Sequence, residues 1–484
     1  MPTALPSARP AHALPAPTRH RSAADRAGET PPLDGRREGR PDGGVRTREI
    51  WWAAWPVFAV FVLSNAAMPL YGIWQHRLGF TSGTLTVVYA AYMAGMLGAL
   101  LVAGVAADRI GRKPVLIPAL LAALAACLLY ATAGSVAALF AARFLTGLAA
   151  GSAVSAGMAA VTDLAAGRRI GPLLAAAATA LGAGTGPLLA GALSQTAPAP
   201  TVTVFAVEAV LLLTALGAVA RMPLPGRRAG RRSGAGVRTG TSVAAGTTSA
   251  PRNTGTGPAA SIADTGTGTA PAARNTDAAS QGADGARAAG SWVRVPSVPR
   301  ANRRHLALAF AAFVPGLTST SFVLSLGPSL LTGLLGTTDR AVAGALAFVM
   351  FGAAVGAQFA VRRLAVRTML LVSGAATVAA VLGLVTAVWT GALAPLAVAA
   401  VLAGAAQGTG QFGGLTLLGR EVPAARRAEA NAAFNAGGYL VAGALPVAAG
   451  YLSDAVGLSS GTTVFGLVVA ALAVAGGTLV AARR

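Results

Sequence analysis

Few side chains in this chain can do chemistry, and their spacing excludes most catalytic arrangements. The four histidines, His12, His20, His76 and His305, have no second ligand at metal-binding spacing. The one cysteine, Cys127, supports neither a disulfide framework nor a thiolate metal site. There is no glycine-rich loop to cradle a nucleotide phosphate and no carboxylate pair or histidine cluster for acid and base work. What remains are charged and amide side chains embedded in apolar sequence: Arg143, Glu208, Asn65, Gln407 and Gln411, with Ser319, Thr320, Ser325, Asn431 and Asn435 behind them. An arginine in such a setting costs about 2.5–3.5 kcal/mol on insertion scales and must face a polar cavity or a partner. These residues point to handling of a solute or an ion rather than to covalent chemistry. Neither an enzyme activity nor a cofactor is expected.

The elements that hold them follow from composition. Of 484 residues, 54% are hydrophobic and 11% charged, which does not describe the surfaces of soluble domains. The net charge of +22 is concentrated outside the apolar stretches: residues 1–49 hold nine arginines and 223–304 hold twelve. Elsewhere Ala, Leu, Val and Gly run on for about 20 residues at a time, enough to cross a bilayer core as a helix. Twelve spanning helices are predicted, near 51–75, 82–104, 115–133, 135–160, 171–194, 201–221, 306–331, 341–361, 368–389, 391–415, 430–452 and 461–481. Residues 1–49 lack the apolar core of a signal peptide and read as a disordered tail. Residues 223–302, rich in Gly, Ala, Thr and Ser, cannot bury enough apolar surface to fold and read as a disordered linker. The expected architecture is an all-α integral membrane protein with pseudo-symmetric six-helix bundles at 50–222 and 303–484.

Seventeen basic residues lie outside tail and linker. Fourteen share one set of alternate connections: Arg109, Arg112, Lys113, Arg168, Arg169, Arg221, Arg362, Arg363, Arg367, Arg420, Arg426, Arg427, Arg483 and Arg484. The other set has Arg77 and Arg340. Positive residues are retained on the cytoplasmic side, so both termini and the linker are expected there. The basic linker then lies beside an anionic leaflet, and no nucleic-acid partner is needed to explain it. Lys113 is the sole lysine; with the Ala and Gly excess it suggests a bacterial source, hence a multi-pass protein of the bacterial plasma membrane. Tyr71, Trp74, Tyr89 and Tyr92, near the outer ends of the first two helices, read as interfacial anchors. Asp454, near the outer end of the eleventh, reads as a solvated terminal residue.

An internal repeat supports the six-plus-six division. Pro187, Gly191 and Ser194 recur as Pro446, Gly450 and Ser453 at an offset of 259. Gly147 and Gly151 recur as Gly404 and Gly408 at 257, and Gly98 and Arg109 as Gly352 and Arg363 at 254. An ordered, slowly drifting series is what two duplicated halves produce.

Gly104, Asp108, Arg109, Gly111, Arg112, Lys113 and Pro114 crowd into the connection after the second helix. There Gly104 permits close helix approach, Gly111 a turn and Pro114 a helix start. This cluster resembles the signature loop of the major facilitator superfamily. The segment from Leu139 to Gly151, with Arg143 inside it, is similar to the same superfamily's fourth-helix motif. Gly182, Gly186, Pro187 and Gly191 in the fifth helix resemble the antiporter motif of its proton-coupled drug-efflux branch, with Ala190 standing where a glycine is usual. The resemblance covers about residues 50–222 and 303–484. It implies that Asp108 contacts a helix end across the two halves and helps hold the cytoplasmic side shut. It also implies a central cavity lined by the first, fourth, seventh and tenth helices, which gives weight to Asn65, Arg143, Gln407 and Gln411. Glu208, the one acid within an apolar span, has a depth similar to Arg143; it either pairs with it or titrates in water near the outer headgroups.

The function this implies is secondary active transport by alternating access: a proton-coupled antiporter exporting small amphipathic or drug-like molecules. Its partners would be a small-molecule substrate, protons and the lipid bilayer, and a monomer is expected. Two alternatives stand beside it. One is an importer or facilitator of a small metabolite. The other is a non-transporting scaffold whose basic linker recruits a partner, in which case deleting residues 230–290 would abolish function.

Overall fold

The computed structural model describes residues 47–165, 170–222, 300–333, 336, 339–423 and 426–482. The predicted tail and linker, except 47–49 and 300–302, lie outside the described residues, as do Arg168, Arg169, Arg483 and Arg484. Among the described residues every regular element is helical, and twelve helices are long and apolar enough to cross a membrane. In lipid each backbone N–H and C=O needs a partner from its own segment, so apolar runs of this length form helices. The protein is a multi-pass membrane protein.

The first span consists of α1 (Thr47–Ala66) and α2 (Tyr71–Leu78), joined by a 3-10 turn at Met68–Leu70 where Pro69 interrupts the ladder. Next come α3 (Ser82–Ile110) and α4 (Lys113–Ala131). The fourth span consists of α5 (Val136–Ser152) and α6 (Met158–Leu164), joined by a π turn at Ala153–Gly157. Then α7 (Ile170–Thr196) and α8 (Pro200–Arg221) complete the first six spans. The second six are α9 (Arg303–Gly333), α10 (Arg340–Val361), α11 (Val366–Thr390), α12 (Leu393–Glu421), α13 (Arg427–Val456) and α14 (Leu458–Ala481). Helix ends carry local signals. Side-chain oxygens of Thr81, Ser135 and Asp339 cap α3, α5 and α10, and Gly79 and Gly391 end α2 and α11 in the left-handed conformation. The second helix runs past the predicted residue 104 to Ile110, so Asp108 and Arg109 ride its last turn. Only Gly111, at φ 103°, and Arg112 are left to make the connection.

Glycines set the packing within each half. A Cβ at Gly147 or Gly151 of α5 would strike the α3 backbone at Tyr92 and Met96. One at Gly404 or Gly408 of α12 would strike the α10 backbone at Met350 and Ala354. The two contacts repeat at a nearly constant offset, and this corrects the predicted match of Gly98 with Gly352. Tyr92 corresponds to Met350, so Gly98 corresponds to Gly356, one turn further on. Gly104, expected to allow close approach, has only an ordinary contact with Ser155.

Arg109, Arg112, Lys113, Arg221, Arg363, Arg367, Arg420 and Arg427 mark one end of the molecule, the basic end. The two halves join along two seams, α7 on α10 and α13 on α3. At Gly191 a Cβ would meet the Arg340 carbonyl, and at Gly344 the Pro187 carbonyl; at Gly450 it would meet Thr86 and Gly83. The hydrogen bonds described between the halves gather at the end opposite the basic one. Arg340 Nη1 donates to the Ser194 carbonyl at 2.9 Å, Gln195 Nε2 to Asp339 Oδ1 at 2.6 Å, and Ser329 Oγ to Gln75 Oε1 at 3.4 Å. The N–H groups of Ser82 and Gly83 donate to Asp454 at 3.1 and 2.8 Å. Asp454 is therefore no mere solvated terminus.

Candidate functional site

Arg143 lies eight residues into α5, about 12 Å from the helix start at 1.5 Å per residue. Its side chain is fully buried. The guanidinium carbon sits 5.1 Å from the ring centroid of Tyr92, 5.2 Å from that of Tyr89 and 5.8 Å from that of Tyr71. Nη1 donates to the Ser64 carbonyl, and the Tyr130 hydroxyl lies beside the guanidinium. Desolvated cation–π contacts are worth about 2 kcal/mol. Three rings and one carbonyl thus offset part of the cost of a cation in a span. The first span supplies Tyr71 and Ser64, and α3 supplies Tyr89 and Tyr92, which the close α3–α5 approach at Gly147 and Gly151 brings within reach. Asn65 joins the same group, its Nδ2 donating to Ser64 Oγ at 3.1 Å. Tyr71, Trp74, Tyr89 and Tyr92 are all buried. They line the interior instead of anchoring an interface: α3 turns Tyr89 and Tyr92 toward α5 and the other half, and α2 turns Tyr71 toward Arg143 and Trp74 toward Tyr130 and Phe205.

The box reaches across to the second half. The Tyr89 hydroxyl approaches the Ser321 side chain of α9, and Tyr92 lies beside Tyr439 of α13. The box is backed by stacked rings, Trp74 on Tyr130 at 5.7 Å and Tyr130 on Phe205 at 4.6 Å.

Glu208 follows Phe205 by one turn on α8. It is fully buried, both its carboxyl oxygens lack a hydrogen-bond partner, and it forms no ion pair with Arg143. Ring contacts lead from Arg143 through Tyr71 and Trp74 to Phe205, so aromatic side chains take up the room an ion pair would need. Of the other predicted cavity residues, Gln407 is half-buried with its Oε1 unpartnered, and Gln411 follows one turn on along α12. No described contact brings either to Arg143. Ser319, Thr320 and Ser325 donate to carbonyls at Pro315, Gly316 and Phe322, in the preceding turn of their own helix, and Thr320 also lies 3.2 Å from the Ala403 carbonyl of α12. These three are satisfied structurally.

At the basic end Arg112 Nη1 pairs with Asp108 at 2.8 Å and its Nε with Asp163 at 3.3 Å. Lys113 Nζ donates to the Ala220 carbonyl at 3.0 Å. The signature cluster thus ties together the ends of α3, α4, α6 and α8 within one half. Asp108, expected to reach across the halves, is held on Arg112 instead. No motif spacing singles out Asp163, although it is the other acid among the first half's basic-end residues. In the fifth span the motif glycines divide between two neighbours: Gly182 and Gly186 against α1 at Phe58 and Val62, Gly191 against α10. Pro187 lies between them, its carbonyl against Gly344. A cavity of about 730 Å³ opens between the first span, α9 and α10 at the end opposite the basic one, lined by Gln75, Arg77, Thr332 and Arg340 among others.

Against known proteins, the family model described as Major Facilitator Superfamily matches residues 50–394. The chain belongs to the major facilitator superfamily. The family is one of membrane transporters. Among curated proteins it is similar to the multidrug resistance protein MdtL of Klebsiella pneumoniae, 31% identical over 110 residues. It is likewise similar to MdtL of Escherichia coli K12, 34% identical over 110 residues. Each match covers 22% of this chain and 28% of the relative. Among solved structures, a bacterial homologue of the human lysosomal transporter Spinster is 13% identical with a TM-score of 0.63, covering 91% of this chain and 98% of that one. The xylose transporter XylE of E. coli is 14% identical with a TM-score of 0.61, covering 88% and 94%. The nucleoside transporter NupG is 13% identical with a TM-score of 0.60, covering 89% and 98%. At this identity these neighbours establish the fold.

Proposed function

We propose that the chain is a proton-coupled antiporter that exports small amphipathic molecules by alternating access, with its basic end in the cytoplasm of a bacterial cell. The observation that carries the transport reading is the way the halves are tied among the described residues. They are tied by hydrogen bonds at the end opposite the basic one, while Asp108 and Arg112 are paired within one half. A solute site reached from alternate sides needs such a separable seam. The local similarity to multidrug resistance proteins supports export, and so does the fifth-span motif, which packs at once on α1 and α10. Glu208 is the one carboxyl group deep in a described span and is the proton carrier in this reading; Arg143 with its tyrosines marks the wall of the solute pathway, together with Asn65, Gln407 and Gln411. The basic end in the cytoplasm follows from positive charge retention. The working unit is a monomer, with both six-helix bundles supplied by one chain.

The test is uptake of a panel of cationic, neutral and anionic amphipaths into everted vesicles, with and without an imposed pH gradient, for the wild type and Asp108→Asn. Gradient-driven accumulation supports exchange against protons. Equal flux in both directions with no response to the gradient would instead indicate a facilitator.

A further inference from the structure

The seam between α13 and α3 contains a contact that neither the packing of one half nor the solute site requires. The first N–H groups of a helix have no acceptor within it. In α3 the Thr81 side chain serves Thr84 alone, at 3.3 Å. Ser82 and Gly83 are served from the other half of the molecule, by the two carboxylate oxygens of Asp454 at 3.1 and 2.8 Å. Asp454 itself stands in the last turn of α13, where a negative charge opposes the dipole of its own helix. Its favourable partner is the positive N-terminus of α3, which it meets only while this seam is closed. Backbone access is provided for: a Cβ at Gly83 would strike the Asp454 carboxylate and the Tyr451 ring, and one at Gly450 would strike Thr86. In the duplicated seam the matching position is Gln195, which reaches the side chain of Asp339, the cap that α10 supplies for itself. The first seam's cap thus comes from across the halves, and the second seam's comes from within.

We propose that Asp454 is a gating residue that latches the two halves at the end opposite the basic one by capping α3 across the seam, and that releasing this cap is a step in opening that end. The proposal rests on the alternating-access reading, but its test needs neither a substrate nor a pH gradient. Asp454 is exposed, so each of the two charge-assisted hydrogen bonds trades against water when the seam opens. The latch is therefore worth a factor of about ten in the closed-to-open ratio, a bias that thermal motion can reverse.

The experiment places spin labels at Thr132→Cys and Thr390→Cys, exposed positions at this end of the two halves, in a Cys127→Ala background of the full chain in lipid nanodiscs. Pulsed dipolar spectroscopy then reads the distance distribution. Asp454→Ala is expected to raise the long-distance population about tenfold relative to the short one. Asp454→Asn, which keeps the shape and one acceptor, should give a smaller rise. Gly83→Ala should raise it as well with the charge intact, because it blocks the approach. If Asp454→Ala does not yield a folded sample, Asp454→Asn carries the decision. An unchanged distribution in the aspartate variants would overturn the latch whatever Gly83→Ala does. A working latch without proton-driven flux would leave the inference standing and remove the antiporter reading.

Discussion

Arg143 brings five N–H donors into a span, and the chain meets them with three phenol rings and one carbonyl oxygen. A planar guanidinium stacks on such rings, whereas an ammonium is a compact, strongly hydrated point charge. Arg143→Lys should therefore lower stability by about 2 kcal/mol while keeping the charge, read from thermal unfolding in detergent; an unchanged midpoint would show that the rings contribute nothing. Glu208→Gln keeps volume and removes the ionisable group. It should abolish gradient-driven accumulation in everted vesicles without lowering the amount inserted in the membrane; full activity would remove Glu208 from the coupling. Both residues were legible as charges embedded in apolar sequence. The ring box was not, because a tyrosine near a helix end suits a membrane interface equally well. What decides is the rotation of α3 about its axis, and that is fixed by glycine contacts distant in sequence.

Between helices, the glycines sort into those that touch a backbone and those that face open space. Gly147→Val and Gly404→Val should each cost about 1–3 kcal/mol or more by driving α3 and α10 away. Gly98→Val and Gly352→Val, with nothing near a Cβ, should behave like the wild type in detergent size-exclusion profiles. Equal profiles for all four would mean that the helices do not pack as described. The spans themselves were legible to within a few residues from apolar run length. The second helix was underestimated because Asp108 and Arg109 look like loop residues, although charges are well placed on a helix turn that emerges from lipid. The repeat was legible too, but its register was not: an offset read from single glycines drifted by one turn, which contacts between helices correct. At the start of α10, the Gln195 amide, followed by the N–H of Ala341, holds the Asp339 carboxyl below its ordinary range. A carboxyl so held contributes above its ordinary value and loses its contribution as pH falls through the lowered one. Hydrogen exchange at the first turn of α10 should therefore be level from pH 8 to 5 once corrected for intrinsic rates, with protection lost only below about 4.

For the molecule as a whole, the proposed alternating access requires the tied end to separate. Gln195 and Asp339 touch across the halves through their side-chain ends, so the pair Gln195→Cys and Asp339→Cys, joined by a short bis-methanethiosulfonate cross-linker, should cut flux to less than about a tenth. A reductant should restore it. Flux that persists through complete cross-linking would contradict alternating access at this seam. The membrane class, the twelve crossings and the two halves follow from apolar run length and composition. Which end closes does not, since the same residues must support either closure.

Lys113 binds the end of α8 from the start of α4, and it is the only lysine in the chain. Reagents that acylate primary amines therefore have one side-chain target, besides the amino terminus. A membrane-impermeant succinimidyl ester applied to intact cells, then to everted vesicles, would turn that single amine into a built-in report of which face of the bilayer it occupies.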